Sequence, residues 1–458
     1  MKPAFADPQA ASRPLHAVAP EGLEVWLAAQ PAPVAAWVQD AGFKAGLGEA
    51  LLLPGAAGVG AAVIGLGTAR ARSRQRFGLA KAVGQLPAGD WHFVGLPAEM
   101  ADEAALGWLL AQYRFDRYKP ASTAVQPALK CPEGVDAARL LAMAEGEYLT
   151  RDLINTPAQD MGPAELEAAF LALADQFGAA TQVIAGAELE QGFPMIHAVG
   201  KGSDRAPRLL SLRWGQAGPS LTLVGKGVCF DTGGLNLKPS AGMQLMKKDM
   251  GGAATVMGLA LMIMRLGLPI RLRVIVPAVE NSVSGRSMRP KDILHSRKGL
   301  TVEVNDTDAE GRLVLGDALA WAAEENPETL VSMATLTGAA RVAVGPDLAP
   351  YYTDDAGIAA AVEAGARAGA DPVWRLPFHD AYESVIEPEI ADLDNAPGFG
   401  FAGSITAALF LRRFADHPRY LHFDIYGHTP TAAPARPKGG VGQGARALLL
   451  ALPALLGI

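Results

Sequence analysis

The sequence predicts an α/β protein in two parts: a smaller N-terminal α/β domain (1–134), joined by a long helix (135–157) to a C-terminal domain (158–458) with a mainly parallel central sheet flanked by helices. Three observations carry this. The chain has 458 residues, which at roughly 100–200 residues per domain is too many for one core. Beyond residue 200, apolar runs at 208–213, 221–224, 270–276, 301–305, 329–334 and 420–425 alternate with helical stretches, notably 252–265 and 313–325. That alternation is the pattern of strands linked by crossover helices. Val135–Asn155 reads as one helix that stops at Thr156-Pro157, because the residue before a proline is driven out of helical backbone.

In the N-terminal part, residues 61–67 (AAVIGLG) and 91–96 (WHFVGL) read as short buried strands and 104–113 as a helix, followed by a proline-bearing stretch from Pro120 to Pro132. Half of the residues are hydrophobic and 19% charged, which is ordinary for a globular chain. With 40 basic against 47 acidic residues the formal charge is −7, so neither nucleic acid nor an anionic membrane is expected as a partner. The apolar stretches 51–67 and 253–264 are broken or short beside the roughly 20 residues of a membrane span. The start MKPAFADPQAASRPLH shows no apolar signal region, and Cys131 and Cys229 form no CxxC pair. A reducing, cytoplasmic setting is expected.

The chemistry gathers at three strand ends, where open α/β sheets collect ligands. GKGVCFDTGGLNLKP follows 221–224 and holds Lys226, Asp231 and Lys238; DTDAEGR follows 301–305 and holds Asp306, Asp308, Glu310 and Arg312; TLTGA follows 329–334. KKDMGGA places Asp249 just before a helix start. Asp231, Asp249, Asp308 and Glu310 brought together in a dry cleft would raise one another's pKa values, a conflict that divalent cations resolve. No HExxH and no Cys/His ligand spacing occurs. Oxygen-rich ligation suits Mn²⁺ or Mg²⁺ and admits Zn²⁺. Gly225-Lys226-Gly227 lacks the GxxxxGK[ST] frame of a phosphate loop.

VGKGVCFDTGG, LNLKPS, MKKDMGGAA, NDTDAEGRLVLGDAL and ATLTGA, in this order, resemble the leucyl aminopeptidase (cytosol aminopeptidase) family of dinuclear metallopeptidases. The resemblance is clear from about Asn155 onward, and YRFDRYK at 113–119 is similar in flavour. It implies a metal-dependent aminopeptidase acting on peptides with a free N-terminus. Asp231 and Glu310 would bridge two metals, Lys226 and Asp249 would complete one site, and Asp308 the other. Lys238 would polarise the scissile carbonyl, and Arg312 would hold a bicarbonate that serves as general base. Backbone around Ala309, Gly311 and Leu336 would help hold that anion, and Met246, Thr335 and Gly338 would line the pocket for the first side chain. The resemblance further implies a homohexamer.

The chain departs from the family pattern at four positions. Asp306 stands where the family has Asn, Lys291 where a glycine is usual, and Tyr420 and Tyr426 replace residues of a W-x-H-x-DIAG motif. These mark a divergent branch, so leucine preference does not carry over. His422, in an apolar strand, reads as a satisfied core histidine, and the methionines 243–264 other than Met246 as core filler. Arg70, Arg72, Arg74 and Arg76 read as a solvated loop, with nucleic-acid contact as the sharper alternative. A non-catalytic hexameric scaffold is the other alternative, and the complete ligand set argues against it.

Overall fold

The computed structural model describes residues 2–56, 58–120 and 126–458. Positions 121–125 of the expected proline-bearing stretch lie outside the described residues. The chain divides into two compact units, Met1–Tyr148 with Thr431–Lys438, and Leu149–Pro430 with Gly439–Ile458. The division falls within the helix Ala137–Asn155.

In the first unit, among the described residues, β1 (Arg13–Val18), β2 (Ala50–Gly55), β3 (Gly58–Gly65), β4 (Gly89–Val94) and β5 (Pro127–Leu129) form one sheet in the order β2-β3-β1-β4-β5. All its ladders are parallel except the β2–β3 hairpin. The expected helix at 104–113 is Ala98–Ala111, which buries Trp108 and Leu109. The arginine cluster is only partly a loop: Arg70 and Arg72 lie in the short helix Ala69–Ser73, capped by Thr68, with Arg72 donating to Gly67 O at 2.6 Å, while Arg74 and Arg76 lie in the turn that follows.

The second unit contains β6 (Ala180–Ala185), β7 (Arg208–Trp214), β8 (Ser220–Gly225), β9 (Gly227–Asp231), β10 (Arg271–Asn281), β11 (Ile293–His295), β12 (Thr301–Glu303), β13 (Thr329–Ala334), β14 (Ala349–Tyr352), β15 (Val373–Arg375), β16 (Leu393–Asp394) and β17 (Tyr420–Asp424). The main sheet runs β15-β14-β17-β13-β8-β10-β7-β6, with β9 extending the β8 edge of β10. Its centre is parallel; β14 runs antiparallel to β17, β7 to β10 and β6 to β7, and the outermost strand β15 is parallel to β14. Central strands such as β13 (TLVSMA) are apolar along nearly their whole length because both faces are covered. The helix Gly251–Arg265 is buried from Gly251 through Met264. It can press so close because Gly252 has no side chain, and a Cβ there would meet Met333 O at 2.1 Å.

Register places the site. Gly225 pairs with Met333, and Ala334 with Asp424. Lys226, Thr335 and Asp424 therefore emerge together at the carboxyl edge. The run 301–305 does not reach this sheet. Only Thr301–Glu303 is a strand, and it pairs with β11 and β16 in a separate small sheet. The chain then turns, and its helix begins at Glu310 rather than 313, running to Ala323. This helix is clamped through buried Asp317, which accepts from the Met195 and Arg297 amides at 2.8 Å each. Phe410 and Phe414 of the helix Gly403–Ala415 pack into the same core. Among the described residues, no helix is long and apolar enough to cross a membrane.

Candidate active site

Lys226 leaves β8 between two glycines and turns inward. Its amide donates to Met333 O at 3.0 Å and its carbonyl accepts from Ala253 at 2.8 Å. Its Nζ, wholly buried, lies 2.6 Å from Asp249 Oδ2, 2.9 Å from Glu310 Oε1 and 3.1 Å from Thr335 O. Asp231, at the end of β9, has Oδ1 held by Gly233 N (2.9 Å) and Asn281 Nδ2 (2.8 Å). Its Oδ2 faces Lys238 Nζ at 2.8 Å, and Lys238 also pairs with Asp308. Oxygens of Asp231, Asp308 and Glu310 lie within 4.8 Å of one another. The turn Asp231-Thr232-Gly233-Gly234 needs its glycines: Gly233 and Gly234 have φ of +88° and +64°, and a Cβ on Gly233 would stand 3.1 Å from Asp308 Oδ1.

The electrostatics are those of a cation site. Burial and the Asp231 charge push Asp308 up to about 7, against the pull of Lys238. Burial and Asp231 likewise hold Glu310 well above its ordinary value. Burial alone would lower Lys226, but Asp249, Glu310 and Asp231 outweigh it and push it up. Burial would raise Asp249, but Lys226 and Lys248 pull it down. Although Glu310 Oε1 is close to Lys226, it accepts no hydrogen bond among the described residues. Two carboxyl groups that retain protons, and an oxygen without a donor, fit divalent cations.

A pH dependence follows. Without cations the folded chain keeps the Asp308 proton up to about pH 7, while the unfolded chain releases it near 3.8. The stability this group supplies is therefore lost as pH rises from 3.8 through about 7. Cations displace the same protons and bind better as pH rises. The Tm increment given by saturating Mn²⁺ is expected to be small near about pH 5 and largest near about pH 8. An increment that is flat across this range would contradict the assignment.

Arg312, two residues into the helix, is buried and forms no hydrogen bond or ion pair among the described residues, with Nε fully enclosed. Burial lowers its pKa, against Asp424 and Glu310. A planar fork with unspent donors fits a small planar anion. Of the three backbone positions expected beside it, Gly311 is in the helix's first turn, where amides lack intrahelical acceptors. Ala309 N donates to Asp306 O at 3.2 Å, and Leu336 N to Asp424 Oδ1 at 3.1 Å.

Lys226, Asp231, Lys238, Met246, Asp249, Asp308, Ala309, Arg312, Thr335, Leu336 and Gly338 all line one cavity of about 620 Å³. Glu310 and Gly311 lie immediately behind this wall, against Lys226. Thr335 has a second task besides lining: its hydroxyl donates to Asp249 Oδ1 at 2.8 Å.

Sequence reasoning missed the residues that hold these groups in place. Asn281 bridges Asp231 and Thr307 O, Thr307 Oγ1 donates to Gly233 O at 2.6 Å, and Asn395 accepts from the amides of Asn305 and Asp306. Buried Asp424 fastens the Leu336–Thr337 turn and accepts from Ser404 at 2.7 Å. The only available signal was an uncharged amide or acid at a strand end. Asp306 accepts from Asp308 N at 2.8 Å, which an asparagine oxygen would also do. Lys291 adopts φ +73°, which explains the usual glycine. Its cost of about 1 kcal/mol is offset by a 2.8 Å ion pair with buried Glu303. His422 is only half satisfied: Nδ1 pairs with Ser332, while Nε2 finds no partner among the described residues.

Comparisons with known proteins agree with this architecture. Residues 148–449 match the cytosol aminopeptidase family, catalytic domain, and residues 13–129 match the N-terminal domain of the same aminopeptidases. A Caulobacter vibrioides protein named "Probable cytosol aminopeptidase" is 39% identical over 375 residues, covering 78% of this chain and 76% of that one. A Leifsonia xyli protein of the same name is 38% identical over 455 residues, covering 93% and 91%. Among solved structures, the cytosol aminopeptidase of Coxiella burnetii superposes with a TM-score of 0.92 at 39% identity, covering 97% of this chain and 98% of that one. The bottromycin maturation enzyme BotP in complex with Mn superposes with a TM-score of 0.86 at 34% identity, covering 97% and 100%. The chain thus belongs to the cytosol aminopeptidase family and is a peptidase, built from that family's N-terminal domain and α/β catalytic domain.

Proposed function

We propose that this enzyme removes the N-terminal residue of peptides by a two-metal mechanism. The observation that carries the reading is the buried group Asp231, Asp308 and Glu310, with converging oxygens and raised carboxyl pKa values. Asp231 and Glu310 would bridge two cations, with Lys226 and Asp249 completing one site and Asp308 the other. Mn²⁺ or Zn²⁺ suits this donor set and Mg²⁺ is admissible; the manganese complex of BotP supports the first. Divalent ions in such a pair supply Lewis acidity and lower the pKa of water.

The chain's own groups do the rest. Lys238 stands at the cavity wall, where its ammonium can donate to the scissile carbonyl oxygen as charge develops. Arg312, with its unspent donors, would hold bicarbonate as the base, helped by the first-turn amide of Gly311 and, after exchange of their present acceptors, by Ala309 and Leu336. Met246, Thr335 and Gly338 would wall the space for the first side chain. The free α-amine of the peptide would be a further donor in this site, which would make the action exopeptidic. A cytoplasmic homohexamer is the assembly and setting proposed with this reading.

The test is hydrolysis of a panel of aminoacyl-nitroanilides and dipeptides after chelation, and again with Mn²⁺, Zn²⁺ or Mg²⁺ restored. Release of the first residue only when metal is restored is expected. No release from any substrate with any metal would refute the proposal.

A further inference from the structure

Resting on that reading, we infer that the first-residue pocket selects an acidic side chain, so that the preferred substrates begin with glutamate or aspartate. The pocket wall carries two cations besides those assigned to chemistry. Lys248 and Arg341 line the same cavity as Met246, Thr335 and Gly338, and Tyr426 lines it beside both. The Lys248 ammonium is 5.5 Å from the centre of the Tyr426 ring and the Arg341 guanidinium 4.9 Å from it. Gln443 accepts from the amides of Tyr426 and Gly427 at 2.9 and 3.0 Å, which fixes the turn bearing the ring.

Among the described residues neither cation has a counter-ion of its own. The Lys248 side chain is 8% exposed, and its nearest carboxylate oxygen, Asp249 Oδ1, stands 3.8 Å away. Asp249 is already spent on Lys226 at 2.6 Å and Thr335 at 2.8 Å. Among the described residues the Lys248 ammonium makes no hydrogen bond, and Arg341, exposed at the mouth, makes no ion pair. The other acids of the cavity are engaged too: Asp231 and Asp308 by Lys238, and Asp306 by the Asp308 amide. A buried ammonium with unspent protons is costly. An aliphatic first side chain would remove its remaining water and return nothing. A carboxylate would accept from Lys248 within the pocket and meet Arg341 at the rim, with Tyr426 closing the space between.

Glutamate against glutamine is the decisive comparison, because the two differ in charge and scarcely in shape. Peptides Glu-X and Gln-X, beside Leu-X, are to be compared by kcat/KM in the metal-loaded enzyme. A preference for Glu over Gln of about 10- to 100-fold is expected, the range of a charge-assisted hydrogen bond in a sheltered site. Lys248→Met should collapse the Glu/Gln ratio toward one and favour Leu. Arg341→Gln, at an exposed position away from the metal ligands, should lower the ratio several-fold through KM. Ratios within one variant cancel differences in folding and metal loading, which a merely structural role would leave unmoved. Efficient cleavage of Leu-X with Glu-X no better than Gln-X would overturn this inference alone. Absence of cleavage for every peptide would overturn the aminopeptidase reading with it.

Discussion

Glu310→Gln is expected to cut kcat/KM by at least about 10³-fold, beyond the roughly 10²–10³ typical of losing one transition-state donor. The substitution keeps shape and burial but removes the charge on which two cations would converge. Glu310 is buried to 1% exposure, and its oxygens face Lys226 and the Asp231–Asp308 pair. In chelated protein near neutral pH the same change is expected to raise Tm: burial and Asp231, against Lys226, hold the carboxyl well above its ordinary value, so folding must protonate it, a cost that an amide does not carry. A variant that is inactive and binds metal weakly, yet is more heat-stable without metal, would be the signature of a site strained for function. Retained activity, or a fall in Tm of the chelated protein, would show that Glu310 is not a ligand of this kind.

Gly311→Ala is expected to reduce activity by about 10²-fold or more with little change in Tm. Alanine favours helix over glycine by about 1 kcal/mol, so helix propensity alone predicts a gain in stability. The structure reverses the functional outcome. A Cβ at Gly311 would meet Lys226 Cε at 2.4 Å and Nζ at 2.7 Å. The end of a lysine chain can move, so the fold survives. Lys226, however, is buried with Asp249, Glu310 and Thr335 O as partners, and moving it breaks all three contacts. Circular dichroism and Tm close to the parent, with metal affinity and turnover both reduced, is the expected pattern. Wild-type turnover would mean that the position of Lys226 is not critical.

How far the site was legible depended on the range of each contact. Lys226 was readable because an apolar strand flanked by glycines forces the chain inward, and the register of β8 on β13 lies in their apolar patterns. The helix bearing Glu310 and Arg312 was read three residues late, because DTDAEGR looks like a loop until Asp317 and the core clamp its far end. The run 301–305 was assigned to the central sheet on apolarity alone, and nothing local shows that β16, about 90 residues on, is its partner. The same limit hid Asn281, Asn395 and Asp424. Each is an ordinary polar residue in sequence and becomes informative only through bonds to segments 26 to 90 positions away. The edge strand β6 carries little apolar pattern because it is largely exposed, and β14, inside the β15 edge, is too short to show one. Lys248 and Tyr426 gave no periodic signal, since their meaning lies in meeting at the wall of one cavity from segments far apart in sequence.

The groups at the centre are fastened from three separate stretches of chain: Lys226 and Asp249 by Met333 and Thr335 at the end of β13, Asp231 by Asn281, and the Asp308 turn by Asn395 through Asp306. Detaching any one of these stretches would release a group that the centre needs in place. The enzyme thereby carries its own safety catch. A half-unfolded or damaged copy, surrounded by exposed chain ends it could trim, is already disarmed.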